Sequence, residues 1–69
     1  MTDTALLREQ ITGSGLKMSF IAEKVGITYA GFLKKLNNET EFKATEIQKL
    51  CEVLNIGVDL KEQIFFATK

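Results

Sequence analysis

Sixty-nine residues leave room for one domain, and a chain of this size buries only about 60% of the surface it exposes when unfolded. It is 45% hydrophobic and 26% charged, as globular proteins commonly are, with one cysteine and no histidine, which excludes an internal disulfide, a His/Cys zinc site and nucleophilic catalysis through a histidine base. Nine basic residues balance nine acidic ones, and a net charge of zero argues against an unselective polyanion binder.

The first predicted helix runs from about Thr4 to Thr12, capped by Asp3 or Thr4, with Ala5, Leu6, Leu7 and Ile11 on its apolar side. Gly13-Ser14-Gly15 stops it, since each glycine costs a helix roughly 1 kcal/mol relative to alanine. Leu16 stands ready to staple the entry to a second helix, from Lys17 or Met18 to Val25, whose apolar set is Phe20, Ile21, Ala22 and Val25. Gly26 is placed to take the left-handed conformation that ends this helix, and Thr28 to cap the next. The third helix extends from Tyr29 to Leu36 or Asn37 and carries Phe32, Leu33 and Leu36. Two helices joined by a short glycine-containing turn form a helix-turn-helix pattern.

Residues 37–41 are polar and turn-prone, a loop. The fourth helix, about Thr45 to Leu54, opens on a Thr45-x-x-Gln48 capping spacing and repeats Ile47, Leu50, Cys51 and Leu54 on one face. Cys51 therefore reads as a small core residue. Asn55 and Gly57 end that helix, and Asp59 caps a fifth with Leu60, Ile64, Phe65 and Phe66. The fold class is all-α: five short helices in a single domain over residues 1–69. Phe20, Phe32, Leu36, Ile47, Leu50 and Leu54 are its expected core, and Phe42 lies either under the loop or on an outer face.

Charge is unevenly spread. Residues 16–43 carry +2, the segments on either side −1 each, and Thr28–Asn38 holds two lysines and no acid. No run approaches 18 apolar residues, and MTDTALLREQ lacks the basic and apolar regions of a signal peptide, so a cytoplasmic location and no membrane partner are expected. The acids show no catalytic pairing and there is no phosphate-binding loop. An enzyme, a cofactor, a metal and a small-molecule substrate are accordingly not expected.

The run IAEKVGITYAGFLKKLNN from Ile21 to Asn38, followed by EIQKLCEVLNI from Glu46 to Ile56, resembles the phage-repressor and Cro helix-turn-helix family, also called the xenobiotic-response-element type. Ala22, Gly26, Ile27, Thr28 and Phe32 match its motif positions, and the likeness covers about Leu16 to Leu60. The small size looks most like Cro-type or modulator-of-repression proteins of temperate phages, the lactococcal-phage group in particular. That resemblance implies a bacterial host cell, a repressor-like helix-turn-helix domain and a role in a lysis–lysogeny switch, with operator DNA or a cognate phage repressor as partner.

Transferred position by position, it puts Tyr29, Ala30, Gly31 and Lys34 against base edges. Lys17, Met18 and Ser19 would lie along phosphates, as would Asn37 and Asn38 at the far end. Thr28 and Lys35 complete the candidate surface. Where many relatives carry glutamine, serine or arginine, Tyr29-Ala30-Gly31 offers few donors for bidentate reading, so base recognition rests mainly on Lys34. Gly31 inside a helix suggests a close approach by DNA or protein.

Two functions follow. One is a homodimeric operator-binding regulator with recognition helices about 34 Å apart. The other is an antirepressor that binds its cognate repressor through the same surface. Ile64, Phe65 and Phe66 exceed what one terminal turn buries on a small monomer; some pack on the first helix and the remainder form a dimer contact.

Overall fold

The computed structural model describes residues Thr2 to Phe66, and among them five helices follow one another: α1 Thr4–Ser14, α2 Met18–Val25, α3 Tyr29–Leu36, α4 Ala44–Leu54 and α5 Val58–Phe65. The all-α reading holds. Helix ends are where local chemistry departs from expectation. Asp3 caps α1, its carboxylate accepting from the Leu6 N–H at 3.0 Å. That helix continues through Gly13 to Ser14, two residues past the predicted stop, and ends where Gly15 turns left-handed at φ 73°. One glycine in the last turn is tolerated there, and the Ser14 hydroxyl donates to the Ile11 carbonyl.

The predicted caps of α4 and α5 are displaced. Helix α4 starts at Lys43, whose backbone N–H donates to Glu46 Oε1 at 2.8 Å; Thr45 and Gln48 lie inside the first turns. Helix α5 starts from Gly57 in extended backbone, with Asp59 in its first turn, where a carboxylate suits the helix dipole without capping.

Helix α2 packs on α3 and α4, while α1 touches α3, α4 and α5. Leu7, Ile11, Ile21, Ala22, Val25, Phe32, Leu36, Ile47, Leu50 and Ile64 make the shared core. Phe42 tucks inside it from the loop, edge-on to Phe32 at 6.3 Å and to Phe65 at 5.6 Å. The chain closes on itself where the Asp3 N–H donates to the Ile64 carbonyl at 2.6 Å and Thr2 is buried beside it.

Three core expectations need correction. Phe20 is 41% exposed. At 100° per residue it stands 200° from Ala22, so the two cannot share a buried face. Leu54 is half-buried against the core. Of Ile64, Phe65 and Phe66, named together as a dimer contact with some of them expected on the first helix, Ile64 and Phe65 are buried within this chain, because α1 and Phe42 cover the inner side of α5, and only Phe66, 58% exposed, faces outward. No helix among the described residues is long and apolar enough to cross a membrane.

Candidate functional site

The α2–turn–α3 unit is built by local hydrogen bonds. Gly26 sits at φ 90°, where its N–H donates to the Ala22 and Glu23 carbonyls and closes α2. Only glycine takes that backbone without strain. Ile27 N–H returns to the Ala22 carbonyl at 3.0 Å, which fixes the turn, and Thr28 then starts α3 by accepting from the Gly31 N–H at 3.0 Å. A methyl group at Gly31 would stand 2.9 Å from that threonine oxygen. The cap itself therefore crowds position 31, and the glycine does not require an outside partner.

Burying Phe32 and Leu36 turns the opposite side of α3 outward, where Ala30 and Lys34 are exposed, while Tyr29, the first residue of α3, is 51% exposed at the helix end although it lies on the side of Phe32 and Leu36. Lys17, Ser19 and Thr28 are exposed on the adjoining stretch. No family model, no curated protein and no solved structure matches the chain. The chemistry of the surface must therefore be read from its own residues.

Several candidates are already engaged inside the fold. Met18 leans on the core instead of facing outward. Lys35 is withdrawn from the outer face: its ammonium donates to the Glu41 carbonyl at 3.0 Å, pairs with Glu46 at 3.2 Å and lies 5.9 Å from the centre of the Phe42 ring. Burial alone would push the Glu46 carboxyl up, but the Lys43 N–H and the Lys35 ammonium outweigh it and hold the group below its ordinary range. Asn37 Oδ1 accepts from Arg8 at 2.8 Å, and the same guanidinium reaches the Leu36 carbonyl at 3.4 Å. Asn38 sits at φ 61°, where it turns the chain out of α3, a conformation asparagine tolerates better than most residues.

Two residues of this region escape a reading by motif. Arg8, far away in sequence, holds the end of α3. Phe20 belongs to the outside, and its neighbours at three before and four after, Lys17 and Lys24, were the available signal because they share its stripe. The Lys24 ammonium lies 5.5 Å from the Phe20 ring centre. Lys49 of α4 also comes near, with its ammonium 4.0 Å from where a side chain on Gly26 would begin. Cys51 is buried, and burial pushes its thiol up against the opposing pull of Lys61, so it stays protonated at neutral pH.

Proposed function

We propose that this chain is a small regulator of the phage-repressor type that acts by binding a cognate phage repressor through the exposed side of α2 and α3, in the manner of an antirepressor within a lysis–lysogeny switch. The observation that carries this reading is the chemistry left on α3. Lys35 is tied to α4, Asn37 Oδ1 is taken by Arg8 and the Thr28 hydroxyl caps its own helix, which leaves Tyr29, Ala30 and Lys34 to face a partner. Base edges are read by paired donors and acceptors, and Lys34 with one phenolic hydroxyl is a thin set for that. An exposed tyrosine beside small and basic residues suits a protein interface, where aromatic side chains supply most of the energy. Zero net charge fits the same reading.

Direct binding of operator DNA is the second reading. It is favoured by Lys17 and Lys34, exposed on the helix-turn-helix and outside the one ion pair among the described residues, Lys35–Glu46. Lysines so placed can neutralise phosphates, with affinity that falls as salt rises.

A mobility-shift experiment separates the two. The purified chain, alone, should leave the intergenic DNA beside its own gene unshifted, and it should remove or alter the shift produced by the neighbouring repressor. A shift by the chain alone that disappears in Lys34→Ala overturns the antirepressor reading in favour of operator binding.

A further inference from the structure

Resting on that reading of a protein partner, we infer that the outer stripe of α2, Lys17–Phe20–Lys24, is a second part of the interface. In this assignment Phe20 is an anchor that enters an apolar pocket of the repressor, and the two lysines meet carboxylates at the pocket's rim. The stripe is distinct from the α3 surface in both position and chemistry. Positions 20 and 24 lie within about 40° of one another around the helix axis, on the side opposite buried Ala22, and Lys17, the exposed residue that precedes the first turn, stands at the start of the same helix. Phe20 is one of four large apolar side chains exposed among the described residues, with Tyr29, Val58 and Phe66, and two of those four belong to the α2–turn–α3 unit.

Charge decides what kind of partner fits. Lys17 and Lys24 are exposed and outside the one ion pair among the described residues. Lys24 rests over the Phe20 ring at 5.5 Å, and the acid of this helix, Glu23, projects about 60° to the other side of Phe20. An aromatic ring flanked by two cations complements an apolar recess edged with Asp or Glu. A phosphate backbone would satisfy the lysines but leave the phenyl ring, which has no donor or acceptor, without a use. Aromatic anchors in a desolvated pocket dominate interface energies, whereas rim charges set the approach and its salt dependence.

Titration calorimetry of the full chain against the neighbouring repressor, at two salt concentrations, tests this assignment with four variants. Phe20→Ala should weaken binding by tenfold or more, while thermal melting stays within a few degrees of the parent because the ring is outside the core. Lys24→Glu, which removes no apolar contact, should weaken binding severalfold and flatten its salt dependence, as should Lys17→Glu. If Tyr29→Ala weakens binding but Phe20→Ala and Lys24→Glu stay within twofold of the parent, the α2 stripe is overturned and the partner reading survives. If the parent does not bind the repressor, both fall. Loss of a DNA shift, or of self-association in sedimentation, with Phe20→Ala as the sole effect assigns the ring to nucleic acid or to a second copy and overturns the proposal.

Discussion

At the scale of single residues, Glu46 does more than its place in the sequence suggests. One carboxylate caps α4 through the Lys43 N–H and also holds Lys35, which joins the end of α3 to the start of α4. Because the folded pKa lies below the ordinary value near 4.5, the contribution is full above that pH and is lost as the pH falls through the lower folded value. Glu46→Gln should therefore be less stable than the parent at neutral pH, by about 1 kcal/mol for charge-assisted hydrogen bonds in a partly exposed site. The gap should close in acid, where both side chains are neutral. Urea unfolding between pH 7 and pH 3 reads it; a gap that is constant across that range removes the linkage. Lys35 also shows why sequence alone misassigns a lysine. It adjoins Lys34 in the chain, yet 100° of helix rotation takes one to solvent and the other to Glu46 and Phe42.

At the scale of elements, what was legible in the sequence was what is decided within four or five residues. The turn from α2 to α3 follows from Gly26 and Thr28, which act on backbone groups three or four positions away, so its boundaries agree with expectation. The start of α4 was hidden because Lys43 carries no capping oxygen and only the returning half of the box, from Glu46, is present. The end of α3, expected at Leu36 or Asn37, is at Leu36, but what holds it was hidden for a different reason. The Leu36 carbonyl and the Asn37 side chain accept from Arg8, a partner from α1 that no local pattern reveals. A guanidinium there suits the negative end of the helix. Arg8→Ala should cost about 0.5–1 kcal/mol, the scale of such end effects. Amide exchange should quicken at Asn37 and Asn38, with the α4 and α5 amides little changed. Uniform acceleration across the chain would instead mark Arg8 as part of global stability.

At the scale of the whole molecule, the three rings Phe32, Phe42 and Phe65 run from α3 through the loop to α5, and Lys35 covers the middle one. The sequence left Phe42 undecided between core and surface, since nothing near it in the chain supplies its neighbours. Removing the central ring takes away two edge-on contacts and opens a hole in a small core. Phe42→Ala should cost about 3–5 kcal/mol. Against a folding free energy at the low end of about 5–15 kcal/mol, that leaves little. Circular dichroism should show a melting midpoint lowered by well over 10 °C or no cooperative transition, and a loss of only a few degrees would mean that the rings pack independently. The candidate surface is less legible than the core for a related reason. Which side chains face out follows from helix rotation, but which of them remain available depends on partners such as Arg8 and Glu46 that only the fold brings near.

The hydrogen bond from Asp3 to the Ile64 carbonyl closes the described residues into an almost circular path, since nearly all of them lie between two residues in contact. An unfolded linear chain must find that meeting by chance, and a covalent ring would remove the search. Joining Thr2 to Phe66 through a short flexible linker is therefore expected to raise stability by about 4 kcal/mol with every core residue unchanged, the size expected when a cross-link closes a loop this long. Such a ring would also offer new ends elsewhere, and the polar stretch between α3 and α4 is the natural place to cut it.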